Sequence, residues 1–429
     1  MQIKHALMAS ALVLAGCVPQ SISLAPPPNL YAEGHNFPNE DVPLVLQTTA
    51  PRIFYLTDRL SEKEGAGAEI YGSGRSEGMA FGTAQVQFGA SSWDDLVTRT
   101  YIDRGGRISR LNVSAVAESV QFNPVPLSTL RTDGALIFDP DEEDVYTQEG
   151  RAFQAAIRAE ILRTGNKRVL LYAHGVGSGF DKSVTTLANL WHFAGRKSIP
   201  IVFSWPAGNG GVLGYFRDRE AGDFSVFHAK EMLRLLADIP ELEDIDIVAH
   251  SRGTDVMTKA LREQVIFYRG AGKPPKLAMK TGTLILAAAD LDTGVVRQRL
   301  QAERFSEAFE QINIYINPRD GALRLSSILT NEQRLGAATT ESLPPAELAR
   351  LRKSELVHVI RVENVRGGGH SYFRDNPAVL SDIVLALRTR AFPGGTLRPL
   401  ELGEDGFWQL HPNYPLERLP DLRVEGSDR

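Results

Sequence analysis

Between Thr147 and Arg390 the chain alternates short apolar runs with longer stretches whose apolar residues recur every three or four positions. An unbroken apolar run of five or six residues fits a strand buried on both faces, and the 3.6-residue period fits a helix lying on a sheet. Arg168–Ala173, Ile245–Ala249, Leu284–Ala288, Ile312–Ile316 and Val357–Val362, short and mainly apolar, read as buried strands. After Gly253, Val256, Met257, Ala260, Leu261, Val265 and Tyr268 trace one helix face, and Gly270 supplies its stop. Asn376 before Pro377 marks another helix start. This alternation predicts an α/β fold, a mostly parallel sheet with helices on both faces. Ahead of it, Arg52–Leu56 and Met79–Phe88 read as leading strands, the second with the alternation of a hairpin edge.

The flanks read differently. Lys4 and His5 precede an apolar stretch, Ala6 to Gly16, too short to span a bilayer, which needs about 20 residues. That pattern is a leader. It ends in Leu14-Ala15-Gly16-Cys17, which resembles the lipobox of bacterial lipoproteins; the resemblance implies acyl chains on Cys17 and a membrane anchor. In a Gram-negative source, Val18 after that cysteine points to the outer membrane, facing the periplasm. Val18 to Pro51, with Pro26-Pro27-Pro28, reads as an extended tether, an arm packed on the body being the alternative. The domain reading is leader 1–16, tether 17–51, one α/β domain 52–391 and a C-terminal extension 392–429. The acidic run from Asp139 to Asp144 lacks the glycine of a calcium loop and reads as a solvated turn.

Composition narrows the function classes. The formal charge is −5, or −6 without residues 1–16, which carry one lysine. No basic patch is present to neutralise phosphates, so nucleic acid is not an expected partner. Cys17 is the single cysteine, which removes disulfides and thiolate chemistry from the folded body. No cofactor or metal is called for. Protein partners are not legible.

The candidate chemistry centres on Ala249-His250-Ser251-Arg252-Gly253, an apolar strand breaking on a serine between small residues. Strand, serine, helix is the order of a nucleophile elbow, in which a sharp turn lifts the hydroxyl clear of the backbone. The plain alternative is a buried strand followed by a helix with a serine cap. Of nine histidines, His370 alone follows a strand and a glycine loop, Arg366-Gly367-Gly368-Gly369, that lets an imidazole reach back to a serine. It is the expected general base. Asp320, after the strand Ile312–Ile316, is the expected acid, with Asp290 or Asp292 after Leu284–Ala288 as rivals. The oxyanion donors are assigned to the N–H groups of Arg252 and of Val176 in the loop His174-Gly175-Val176-Gly177-Ser178-Gly179, Gly175 being the neighbouring possibility. The same loop misses the spacing of phosphate and dinucleotide motifs.

Taken together these pieces resemble the alpha/beta hydrolases, and more narrowly the bacterial alpha/beta hydrolase family of unknown function whose members pair an H-G loop with a W-P segment. The resemblance rests on His174-Gly175, Trp205-Pro206-Ala207-Gly208 with Tyr215 and Asp218, His250-Ser251-Arg252-Gly253, Asp290, Asp320 and Gly369-His370-Ser371-Tyr372, and spans roughly residues 52 to 390. It implies a triad of Ser251, Asp320 and His370 but no substrate. Two residues depart from the family pattern. Ala249 stands for the usual glycine, and Arg252 for an apolar residue, either to favour an acidic substrate or to pair with a nearby carboxylate. Residues 208 to 222 are expected to form a pocket rim or lid, or else a plain surface loop. The resulting expectation is a lipid-anchored serine hydrolase acting on small-molecule or lipid esters; the competing one is an envelope protein that keeps the scaffold for binding.

Overall fold

The computed structural model describes residues 22–34, 36–62, 70–101, 109–363 and 369–415. The leader, Cys17 and His35 lie outside these. The strands in chain order are β1 (Ile22–Ser23), β2 (Arg52–Ser61), β3 (Tyr71–Gln87), β4 (Arg110–Gln121), β5 (Thr129–Thr132), β6 (Ala135–Phe138), β7 (Arg168–Ala173), β8 (Ile199–Ser204), β9 (Asp244–His250), β10 (Thr281–Ala287), β11 (Gln311–Ile316), β12 (Val357–Val362), β13 (Glu401–Leu402) and β14 (Trp408–Leu410). Twelve of them form one sheet in the order β1-β4-β3-β2-β8-β7-β9-β10-β11-β12-β14-β13, while β5 and β6 pair as a separate hairpin.

From β2 through β8, β7, β9, β10, β11 and β12 to β14 every pair is parallel. These strands are mainly apolar, and β9 and β10 are buried from their second residue or earlier. Helices cover both faces. The helices Pro140–Thr164, Gly211–Ala237 and Gly253–Gly270 pack one apolar layer with Leu171, Ile247 and Leu284, and the helices Phe180–Phe193 and Pro377–Thr389 pack the other with Leu170, Val248 and Ile285. Neighbouring strand residues thus feed opposite cores, as the two-residue repeat requires.

Four expectations are corrected. Residues 22–51 are not an extended tether: β1 pairs with β4, Leu30, Tyr31, Phe37, Val42 and Leu46 are buried, and Asn29 donates to the carbonyls of Pro412 and Tyr414 at 2.9 Å each. Leu30, Tyr31 and Leu46 sit in short 3-10 segments and Phe37 and Val42 in the irregular backbone between them, so no period shows. β3 is not an edge strand, because β4 pairs along it; β4 itself is mostly exposed, with only Leu111 and Val120 buried, and so lacks an apolar run. The C-terminal extension is part of the body up to Tyr414: β14 continues the parallel sheet beside β12, and buried Arg398 pairs with buried Asp382 at 2.8 Å. The acidic run is the start of the helix Pro140–Thr164, with Asp139 accepting from the N–H of Asp141. Among the described residues no helix is long and apolar enough to cross a membrane.

Candidate active site

The site gathers at the carboxyl ends of β7, β8, β9 and β11, where parallel sheets place their loops. At the end of β9, Ser251 has φ of 53°, the left-handed region that a residue with a Cβ enters only under constraint. The helix Gly253–Gly270 begins two residues later. A Cβ at Gly253 would run into the carbonyl oxygens of His174 and Ala173, so the helix can start this close to β7 only with glycine there. Ala249, two residues before the serine, is paired with Ala173 and Leu286 and tolerates its methyl within the buried sheet.

Asp320 lies beyond the end of β11 and is fully buried. Its Oδ1 caps the helix Gly321–Thr330, accepting from the N–H groups of Ala322 and Leu323 at 3.0 and 3.1 Å. That cap fixes the carboxylate so that Oδ2 stands 2.8 Å from Nδ1 of His370. The ring donates there, which leaves Nε2 with a free lone pair. The glycine loop before His370 falls partly outside the described residues, Gly369 being within them. Among the described residues no hydrogen bond joins Ser251 Oγ to the His370 ring. His250 connects the two: its Nε2 donates to the His370 carbonyl at 3.0 Å, its ring is 4.8 Å from the His370 ring, and it stacks on Phe373 at 4.5 Å. Hydrogen bonds of this kind are often long in unliganded enzymes and tighten with substrate.

The loop after β7 is held over the serine. A Cβ at Gly175 would lie 2.6 Å from Ser251 Cβ and 3.1 Å from Ser251 Oγ. Two buried charged residues that were not singled out for this duty in the sequence fix the loop. Asp218 accepts from Gly177 N–H at 2.8 Å and from Gly208 N–H, Asn209 N–H and Asn209 Nδ2 at 3.2, 3.2 and 2.7 Å, tying the loops after β7 and β8 together. Since Gly177 N–H is engaged, Gly175 and Val176 remain as the loop's oxyanion candidates. From the other side Arg59 donates to the carbonyls of Ser178 and Ala207 at 2.7 and 2.6 Å and to His174 Nε2 at 3.3 Å. The sequence signal for Arg59 is the pair of charges Asp58-Arg59 just after the apolar run of β2. His174 stacks on Trp205, whose indole donates to the His174 carbonyl at 2.8 Å. Replacing Asp218 by alanine is expected to lower kcat about 100-fold with KM nearly unchanged, because a misplaced oxyanion donor costs transition-state binding more than ground-state binding. Steady-state kinetics on an ester checks it.

The rival acids lie elsewhere. Asp290 is buried in a cluster, accepting from Ser326 Oγ at 2.7 Å and Tyr215 OH at 3.1 Å, with Arg334 at 3.3 Å and Arg252 at 3.9 Å. Asp292 caps a short turn through the N–H of Val295. Neither meets His370. Arg252 is buried and also pairs with Asp255 at 2.9 Å, so its guanidinium is engaged with carboxylates of the chain itself. Of the stretch 208–222, only the residues before Gly211 form a loop; the rest begins the helix Gly211–Ala237, with Tyr215 anchored to Asp290 and Ser326.

Burial shapes the titration of the surrounding histidines. His174, His192 and His250 are held well below the ordinary histidine range, first by desolvation and then by the charges of Arg59, Arg196 and His370 respectively, and burial lowers His358 to about 4. Unfolded, each returns to about 6.5. As pH falls below that value the unfolded chain takes up protons that the folded chain refuses, so their contribution is intact above about pH 6.5 and is lost on acidification. Each group adds a slope of up to about 1.4 kcal/mol per pH unit. The melting temperature is therefore expected to fall steeply from pH 6.5 to 5 and to stay nearly level from 7 to 8; a flat profile through pH 5 would contradict this account.

A family model described as an alpha/beta hydrolase of unknown function (DUF900) matches residues 149–388, more than half of the chain. The chain belongs to this family. The matched segment runs from the helix Pro140–Thr164 to the helix Pro377–Thr389 and so contains Ser251, Asp320 and His370. A search of curated proteins finds no match. Similar solved structures include an esterase from Pyrobaculum calidifontis, 10% identical over 53% of this chain and 77% of that one, with a TM-score of 0.30. A predicted CIB-like hydrolase from Thermoplasma acidophilum is 13% identical over 52% of this chain and 87% of its own, TM-score 0.27. The RedJ thioesterase of prodiginine biosynthesis in Streptomyces coelicolor is 12% identical over 52% and 90%, TM-score 0.28. In this alpha/beta hydrolase, a sheet of mostly parallel strands carries the candidate residues on its loops, and a small-molecule substrate fits that architecture.

Proposed function

We propose that this alpha/beta hydrolase is a membrane-anchored serine esterase, a carboxylesterase or lipase-like enzyme that works through an acyl-enzyme. The observation that carries the reading is the 2.8 Å bond from His370 Nδ1 to a carboxylate locked by its own helix cap, at the rim where Ser251 occupies a strained turn. Ser251 Oγ attacks the ester carbonyl as His370 Nε2 takes its proton, and the N–H groups of Arg252 and Val176 hold the oxyanion. His370 then returns the proton to the leaving alkoxide, and water repeats the sequence on the acyl-enzyme. Asp320 orients the ring and stabilises the imidazolium. Acyl chains on Cys17 hold the body at a bilayer, in a Gram-negative cell at the periplasmic side of the outer membrane; two or more chains suffice at about 0.8 kcal/mol per buried methylene.

Short-chain aryl esters test the chemistry. The native protein is expected to hydrolyse them with an acyl-enzyme burst, and Ser251→Ala and His370→Ala to lose turnover by at least about 10³-fold. In cells, palmitate incorporation that disappears in Cys17→Ser checks the anchor. A second reading, a scaffold kept for binding, draws on the missing hydrogen bond between Ser251 Oγ and His370; a folded native protein inert toward every ester would favour it.

A further inference from the structure

A cavity of about 240 Å³ lies between the sheet and the segments that cross it after β10 and β11. None of the three proposed catalytic residues lines it. One wall is made by Ile312, Ile314 and Ile316, alternate residues along the whole of β11, continued by Val357 and Val359 of β12. Four residue steps at about 3.3 Å each make this wall about 13 Å long along β11, and Leu286 of β10 widens it on the other side. The opposite wall brings Val296, Leu300, Phe305 and Leu351. Protein interiors are packed with few voids larger than a water molecule, so a cavity of this size departs from ordinary core packing.

The polar residues at its margin are few and of uneven sign. Arg297 and Arg350 line it together with the single carboxylate Glu347, which leaves one positive charge in excess. Glu347 is engaged by Gln301 Nε2 and lies 3.9 Å from Arg350, whereas Arg297 makes no ion pair among the described residues. A largely apolar lining with a smaller number of polar groups is the design of a small-molecule site.

We propose that this cavity is a binding site for a fatty acid, its chain along β11 and its carboxylate at Arg297. The site is separate from Ser251 and does not depend on catalysis there.

Calorimetric titration of the full chain carrying Ser251→Ala with decanoate, below its micelle concentration, tests this. Saturable binding of one decanoate per chain is expected, weakened at least tenfold by Arg297→Gln, which removes the head's partner, and by Ala338→Leu, which grows a buried cavity-lining side chain into the void. If Ala338→Leu does not fold, Arg297→Gln decides alone. Absence of saturable binding, or binding that neither variant weakens, overturns the proposal. Decanol, whose hydroxyl can meet the unpartnered Oε1 of Gln301, is the comparison for the head; an alcohol binding as tightly as the acid overturns the carboxylate assignment. With Ser251 removed, failure here leaves the esterase reading untouched, and an inert native enzyme leaves this site untouched.

Discussion

Asp320→Asn is expected to lower kcat for ester hydrolysis by about 10³- to 10⁴-fold with the fold left standing. The two oxygens of Asp320 have separate duties. Oδ1 caps the helix Gly321–Thr330, and asparagine caps a helix as well as aspartate, so an amide oxygen placed there preserves the local structure. Oδ2 accepts from His370 Nδ1, and an amide nitrogen in that place cannot accept. The ring is then driven to carry its proton on Nε2, where it is useless as a base toward Ser251. Asp290→Asn is the contrast. Its carboxylate faces Arg252 and Arg334 rather than His370, so its neutralisation leaves buried cations short of a partner and is expected to lower the melting temperature while kcat stays within about tenfold. Kinetics and thermal melts on the two variants check both statements, and a larger kcat loss in Asp290→Asn would move the acid to β10.

Gly175→Ala is expected to cost about 100- to 1000-fold in kcat. The new methyl would sit 2.6 Å from Ser251 Cβ and 3.1 Å from its hydroxyl, with His250 Nδ1 at 3.3 Å on the other side. Something must yield. Ser251 is pinned by its N–H to the Ala287 carbonyl at 3.0 Å, and its own carbonyl receives Asp290 N–H at 3.3 Å. The loop is pinned in turn by Asp218 and Arg59. With both sides fixed by buried polar bonds, the displacement falls on the gap between hydroxyl and oxyanion donors, where about 1 Å decides the rate. Steady-state kinetics with circular dichroism as a folding control measures it; a variant with native kcat would show that this loop does not serve the serine.

What the sequence reveals follows from where its signals are local. The run Ile245–Ala249 and the period after Gly253 set strand and helix around Ser251 without any long-range contact, and the chain order of serine, carboxylate and histidine at strand ends leads to Asp320 and His370. The acid had two rival positions because a strand end says which loop a carboxylate joins, and only the cap geometry says where its oxygens point. Arg59 and Asp218 are not legible as positioning residues because Arg59 reaches a carbonyl more than 100 residues away, and Asp218 joins a nearby loop to one about 40 residues away, a link that only the fold makes. The packing of the arm from Ile22 to Pro51 is hidden for a related reason: its seven buried apolar residues, Ile22, Ala25, Leu30, Tyr31, Phe37, Val42 and Leu46, occupy irregular spacings, and they join the core on the side of the helices Phe180–Phe193 and Pro377–Thr389 without any pattern of their own. The ion pair of Arg398 with Asp382, which binds the C-terminal segment into the body, leaves no mark in the sequence beyond two ordinary charges.

The most direct measurement is covalent labelling of the folded full chain with a fluorophosphonate, read by intact mass and peptide mapping. A single adduct on Ser251, absent from Ser251→Ala and formed far more slowly in His370→Ala, is the predicted result. A folded native chain that gains no adduct, or gains one at another residue, would contradict the assignment of Ser251 as an activated nucleophile.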